Sequence, residues 1–292
     1  MSVAFKIFQP SSLGDVVDAI GDWDIADGET AKALTIKHPP GTAVFLMAQY
    51  RTPPHADWQF GLKGHKRSDH LLYATQAQTG VISIHPRGPF GAIVVCLKPE
   101  AAVRFLGASL EEFANTKIDL RDIFNVREVT LLEEMLMESK DGAERVAQVE
   151  AFLLRHGRCA KPESAACRAA MFLRRQPGLS VSQLASNLDI SERHLSRSFQ
   201  ATFGTSPKRF ARIARVEKVL AARRNGSAWA GIASACGFAD QAHMIRDFSD
   251  IVGQSPQDFV RPASAGEMLT LAGGFALTYA IFGPANDPTA AK

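Results

Sequence analysis

The sequence predicts an α+β chain of two domains, a β-rich domain followed by an all-α one. Three observations carry this. The 292 residues leave room for about two domains. Short runs rich in β-branched and aromatic residues fill residues 33–97, whereas apolar positions recur at helical spacing from residue 100 onward. The phrase Gly-x-Ser-Pro-x-x-Phe is written twice, at 204–210 and 253–259. Boundaries are expected near residues 160 and 262: a β-rich sensing or dimerisation domain (1–160), an all-α domain (161–262) and a tail (263–292).

Composition narrows the class. Hydrophobic residues make up 46% and charged residues 22%, as in an ordinary soluble globular protein. The four cysteines, Cys96, Cys159, Cys167 and Cys236, form no CxxC pair, so neither a zinc ribbon nor a redox dithiol is indicated. The start, MSVAFKIFQP, lacks the basic-then-apolar pattern of a signal peptide, and a cytoplasmic protein with reduced thiols is expected.

The first domain is read from six runs, AKALTIKH, TAVFLMAQY, DWQFGL, DHLLYAT, GVISIHP and GAIVVCLKP, split by Pro, Gly and Asp. Their spacing suggests a small sandwich or barrel. Helical patterns follow at Glu100–Leu106, Leu110–Asn115, Leu120–Ser139 and Gly142–His156. The stretch Leu120–Leu154 offers either a homodimer surface or a face packed on the barrel. Tyr50, Arg51, Trp58, Phe60, His70 and Tyr73 either line a small-ligand cavity or are ordinary strand residues. No Gly-x-Ser-x-Gly, phosphate loop or carboxylate pair marks a catalytic site, so no catalytic residue and no cofactor is expected.

The second domain is read from its repeat. Shifted by 49, His194 meets His243, Arg197 meets Arg246 and Phe199 meets Phe248; Gly204, Ser206, Pro207 and Phe210 meet Gly253, Ser255, Pro256 and Phe259. Seven identities in seventeen positions, where average usage gives about one, mark a duplicated unit. In the first copy Ser180 caps a short helix carrying Leu184, Ala185 and Leu188. Ser191 opens a second helix, Glu192 to Phe203, with Leu195, Phe199 and Phe203 on one stripe. In the second copy Gly237 supplies the left-handed turn residue and Asp240 the cap. Its turn holds one residue more, since Ala185 and Ala233 differ by 48. Two short helices joined by a tight turn form a helix-turn-helix. Between the copies, Ser206-Pro207 opens and Asn225-Gly226 closes a helix of nearly twenty residues.

Charge agrees with a nucleic-acid partner. Residues 161–262 hold fifteen Lys or Arg against eight Asp or Glu, a net +7, while residues 1–160 carry −3. The tail's apolar run, Met268 to Gly283, is sixteen residues, short of the ~20 that span a bilayer. It reads as a segment docked on the protein's own surface, with a membrane or partner contact as the alternative.

Residues 165–262 resemble the AraC/XylS family of bacterial transcription regulators. GFADQAHMIRDFSDIVGQSPQDFVR carries the family's Gly-Phe-x-Asp…Arg-x-Phe…Gly-x-Ser-Pro pattern, and LSRSFQATFGTSPKRF matches it in the first copy. The resemblance implies double-stranded DNA as partner, read by two recognition helices in successive major grooves. Base-facing positions would be Arg193, Ser196, Arg197 and Gln200 in the first copy and Gln241, Ala242, Ile245 and Arg246 in the second. Lys208, Arg209 and Arg212, with Arg215, Lys218, Arg223 and Arg224, would meet phosphates. Ser249 and Asp250 depart from the Lys or Arg many relatives carry, and residues 239–261 hold two Arg against four Asp, which predicts a weaker phosphate grip by the second unit. Asp189 replaces the usual turn glycine.

LKPEAAVRFLGASLEEFANTKIDLRDIF resembles one subset of the cupin-like sensor halves of that family, which implies a small-molecule effector, with RNA polymerase and a second copy as further partners. A cupin metal site expects His-x-His with a nearby Glu. Neither is present, so no metal is expected from His55, His65, His70 and His85. An enzyme carried to DNA by a basic domain is the alternative reading.

Overall fold

Two sheets and a layer of helices make up the amino-terminal region. The computed structural model describes residues 5–58, 70–74, 80–112, 117–157, 164–261, 267–273 and 276–281. The chain begins with β1 (Phe5–Phe8), β2 (Val17–Ile25), α1 (Gly28–Lys32), β3 (Thr35–His38), β4 (Val44–Gln49), β5 (His55–Trp58), β6 (His70–Ala74), β7 (Ile82–His85) and β8 (Phe90–Leu97). Then come α2 (Pro99–Leu106), β9 (Lys117–Asp119), α3 (Leu120–Ile123), α4 (Val126–Glu138) and α5 (Gly142–His156).

The carboxy-terminal region has α6 (Ala165–Arg175), α7 (Val181–Asn187), α8 (Glu192–Phe203), α9 (Pro207–Arg224), α10 (Trp229–Ala235), α11 (Gln241–Val252) and α12 (Pro256–Val260). The chain then returns to strand as β10 (Glu267–Gly273) and β11 (Ala276–Ile281).

One sheet runs β1-β2-β8-β4-β6-β9 and the other β11-β10-β3-β7-β5. Alternation along the central strands divides their side chains between two cores. Ala19, Trp23, Phe45, Met47, Ala92 and Val94 face the second sheet, where Ile36 and Ile82 meet them. Val17, Ile20, Leu46, Ile93 and Val95 face the helices, meeting Phe105, Val129, Leu132, Val149 and Phe152. The six-stranded sheet is thus covered on both sides. Its middle strands read as unbroken apolar runs for that reason.

Three elements differ from the sequence expectation. β2, the longest strand, was unanticipated because Asp18, Asp22 and Asp24 interrupt it. Those acids are paired across layers instead: Arg174 of α6 bonds Asp18, and Arg145 of α5 reaches Asp22 at 2.9 Å and Asp24 at 2.8 Å. The helix expected over Leu110–Asn115 is a turn at Leu110–Glu112, with residues 113–116 outside the described set; Leu110 directs its N–H to Thr202 O rather than into a helix of its own. The single helix expected over Leu120–Ser139 is split, because Asn125 caps the backbone N–H of Arg127 and starts α4 afresh.

The apolar tail pairs with the chain's own first domain. β10 and β11 form an antiparallel hairpin, and β10 lies parallel to β3 with Glu267 opposite Thr35 and Leu269 opposite Lys37. Among the described residues no helix is long and apolar enough to cross a membrane.

Candidate nucleic-acid interface

The duplicated unit is visible as two matching sequences of helices. Ser180 and Gln183 make a reciprocal capping box at the start of α7. Ser191 accepts from His194 N at the start of α8, and Asp240 accepts from His243 N at the start of α11. The 49-residue shift takes α8 onto α11 end for end, whereas α7 and α10 are 48 apart, so the extra residue sits in the second turn as the sequence indicated. Gly237 has φ +79° there. Asp189 in the first turn stands at φ +53°. A left-handed conformation disfavours any residue with a Cβ, Asp less than most. Asp189→Gly should raise the denaturation midpoint, by up to about 1 kcal/mol in stability; an unchanged or lowered midpoint would show that the Asp side chain matters to the turn.

The repeated phrase packs as expected. Gly204 and Gly253 close α8 and α11 at φ +67° and +88°, and Ser206 and Ser255 cap α9 and α12. Phe210 lies 5.3 Å from Phe199 and 5.8 Å from Phe203, ring to ring, and Phe259 lies 5.8 Å from Phe248. Leu195, Phe199, Met244 and Phe248 are wholly buried, which leaves the opposite faces outward. On α8 that face shows Arg193, Ser196, Arg197 and Gln200 to solvent; on α11 it shows Gln241, Ala242, Ile245 and Arg246. The two faces occupy corresponding places on the two helices.

The cations of α9 divide into two groups. Lys208 is exposed at its first turn, and Arg209 beside it is half-buried, its guanidinium pKa lowered by burial and by Arg212. Arg212, expected to meet phosphates, is partly buried and paired with two acids. Its Nε lies 2.9 Å from Asp247 and its Nη2 2.8 Å from Asp250. Arg215 adds a 3.2 Å bond to Asp247 and lies 5.2 Å over the Phe238 ring. Lys218 donates to Arg175 O, and Arg223 stacks 5.3 Å over Trp229; the side chain of Arg224 lies outside the described residues. Two of the four acids of the second unit, Asp247 and Asp250, are therefore paired with the linker helix, while Asp240 accepts from His243 N and Asp258 from the Ser255 hydroxyl. On the outward faces of α8 and α11 and the first turn of α9, exposed positive charge lies on Arg193, Arg197, Arg246 and Lys208.

The histidines at matched positions go different ways. His194 is exposed, whereas His243 is edge-on to Phe238 at 5.5 Å and 3.7 Å from Asp247. No group of three metal-ligating residues occurs among the described residues.

Around Tyr50 the described side chains make structural contacts. The Tyr50 hydroxyl is buried, 2.7 Å from Asp22 Oδ1 and 2.7 Å from Trp23 O, and burial raises its pKa well above the usual phenol. Arg145 lies 4.6 Å over its ring, and Arg51 pairs with Asp24 at 2.7 Å. These side chains pin α5 to β2. Trp58 falls on β5 of one sheet, His70 and Tyr73 on β6 of the other; their side chains, with Phe60 and His65, lie outside the described residues. A cleft of about 260 Å³ occurs elsewhere, where α2, α6 and α8 meet, lined by Val103, Arg104, Ser109, Cys167 and Ala201 among others.

A family model for a helix-turn-helix domain matches residues 184–262, spanning both outward faces. Residues 184–262 are a helix-turn-helix domain. None of the curated proteins matches the chain. Among solved structures, ToxT from Vibrio cholerae aligns over 88% of this chain and 97% of its own at 9% identity, TM-score 0.48. ToxT from strain SCE256, solved with bound unsaturated fatty acid, aligns over 89% and 96% at 11% identity, TM-score 0.46. The xylose-binding transcription activator XylR aligns over 40% and 38% at 17% identity, TM-score 0.29.

Beyond its own caps, the helix-turn-helix region is held to the β-rich region at several points. Glu217 of α9, buried, accepts from Thr42 N at 2.7 Å and from Thr42 Oγ1 at 2.9 Å. Arg174 joins α6 to Asp18 of β2 and to Glu100 of α2 at 3.1 Å. None of these contacts was anticipated, since each joins residues more than seventy positions apart.

Proposed function

We propose that the chain is a sequence-specific DNA-binding transcription regulator, a binding protein rather than an enzyme, reading two successive major grooves with α8 and α11. The observation that carries this is the pair of outward polar faces at equivalent places on these two helices, joined by one continuous helix. α9 has 18 residues, about 27 Å at 1.5 Å per residue, and major grooves recur every ~34 Å along one side of a duplex. In this reading Arg193 and Arg197 donate to guanine edges and Gln200 and Gln241 pair with adenine. Ser196 serves either base, and Ala242 and Ile245 touch thymine methyl groups. Arg246 takes the place of Arg197 in the second unit, and Lys208 and Arg209 hold the backbone beside the first.

The β-rich domain supplies control. An effector or partner that prefers one of its conformations shifts DNA affinity by its differential affinity for the two. RNA polymerase and a second copy of the chain are the further partners this reading admits.

Selection of bound fragments from random duplex DNA by the purified full chain should return a site of two half-sites about one helical turn apart. Arg197→Ala should weaken that site by about 1–3 kcal/mol and relax one base position within it. An equal loss on every sequence would make Arg197 a phosphate contact, and selection that returned no common sequence would remove the function proposed.

A further inference from the structure

The last four carbonyls of a helix lack partners inside it and must find them elsewhere. In α8 and α11 the closing glycine takes one, Gln200 O and Ser249 O respectively. The next available carbonyls are reached from the β-rich domain. Leu110 N–H donates to Thr202 O at 2.8 Å, with the Ser109 hydroxyl on Ala201 O and on Thr202 O at 3.2 Å. Gly80 N–H donates to Ile251 O at 2.8 Å. Thr202 and Ile251 are 49 residues apart, the interval of the repeat. The first domain therefore grips both recognition helices at the same residue of the duplicated unit.

Each grip has an apolar anchor beside it. Leu110 is wholly buried in the core that contains Leu195, Phe199 and Phe203. Val81, 4% exposed, belongs to the core of Phe248, Ile251 and Val252 rather than to that of its own sheet. Gly80 needs its φ of +85° to aim its N–H at α11, and at Gly253 an added Cβ would stand 3.9 Å from the Gly80 Cα.

The two grips come from different layers. Ser109 and Leu110 follow α2, on the helical side of the six-stranded sheet, while Gly80 and Val81 lead into β7 of the other sheet.

We infer that residues 80–81 and 109–110 are positioning residues for DNA recognition, setting the distance and angle at which the two recognition helices are held. The inference rests on α8 and α11 being the reading helices. A change in how the two layers of the first domain sit against each other is then passed to the helices as a change in half-site spacing.

Paired spin labels test it in the full chain, at Glu192→Cys and Gln241→Cys, equivalent places on the two helices, with Cys159→Ser; the other three cysteines are buried. Without DNA the parent should give one narrow distance. Ser109→Ala with Val81→Ala, and separately Leu110→Pro, should broaden or shift it. On DNA, in unlabelled chains that keep Glu192 and Gln241, one base pair inserted between half-sites should weaken the parent about tenfold or more, since it turns the second site by ~34°, and the Ser109→Ala, Val81→Ala chain about threefold or less. Circular dichroism establishes that each variant is folded; if Leu110→Pro is not, the milder pair carries the test. A folded variant with unchanged distance width and unchanged spacing tolerance overturns the inference. A broadened distance in a chain that selects no DNA sequence leaves the grips standing and removes the reading of α8 and α11.

Discussion

Arg174→Ala should destabilise the folded chain by about 3–5 kcal/mol, the loss expected when one member of a buried charge group is removed and its partners stay behind. The guanidinium is 6% exposed and lies between Asp18 of β2 and Glu100 of α2, themselves 8% exposed. Burial alone would lower its pKa, yet the two carboxylates and Glu217 hold it above the ordinary value. Without it two carboxylates face each other in the interior, and the seam between α6 and the first domain opens. Urea denaturation of the full chain reads the effect. Arg174→Met combined with Asp18→Asn and Glu100→Gln should recover most of the loss, because a neutral group of similar shape removes the unpaired charge. If Arg174→Ala costs less than about 1 kcal/mol, the group is solvated and does not hold the seam.

Glu217→Gln should stabilise the chain by about 3 kcal/mol at pH 8 and by little at pH 4.5. Burial pushes the Glu217 carboxyl up to about 7 from 4.5, against the pull of the Thr42 donors and Arg174 and with a push from Asp18. The folded chain therefore binds, between these values, a proton that the unfolded chain releases. The stability this group contributes is fully present below about 4.5 and is lost as pH rises through about 7. The window is about 2.5 pKa units wide, equivalent to about 3 kcal/mol at 1.36 kcal/mol per unit. Gln copies the protonated acid: Oε1 accepts from Thr42 N, and Nε2–H donates to Thr42 Oγ1. Denaturation midpoints of the two chains should converge towards pH 4.5 and diverge by pH 8. Parallel curves across that range would show that the carboxyl ionises freely. Since the bond joins α9 to the loop before β4, the same titration should loosen the first domain from the helix joining the two helix-turn-helix units.

The carboxy-terminal half was legible because its signals are local. A cap such as Ser191 and a closing glycine such as Gly204 act within four residues, and the stripe Leu195, Phe199, Phe203 declares its own face. The repeat then fixed the second unit from the first. β2 was not legible, because its aspartates read as loop chemistry until Arg145 and Arg174, over a hundred residues away, are brought to them. The candidate interface divided along the same line. Arg193, Ser196, Arg197 and Gln200 are outward because their helix neighbours are core. Arg212, equally basic in sequence, is paired with Asp247 and Asp250 on another helix. Helical spacing tells which way a residue points and cannot tell which opposite charge arrives in front of it.

The pairing of β10 with β3 has a consequence for how the chain is made. Glu267 pairs with Thr35, so one side of β3 waits for a strand 232 positions further along. At about 5–20 residues per second of synthesis, that edge stands open for roughly 10–50 s on every nascent chain. Throughout that interval the β-rich domain offers an unpaired row of backbone donors and acceptors to any other extended segment nearby. The first domain is therefore finished last: its sheet closes only after the whole helix-turn-helix region has been made.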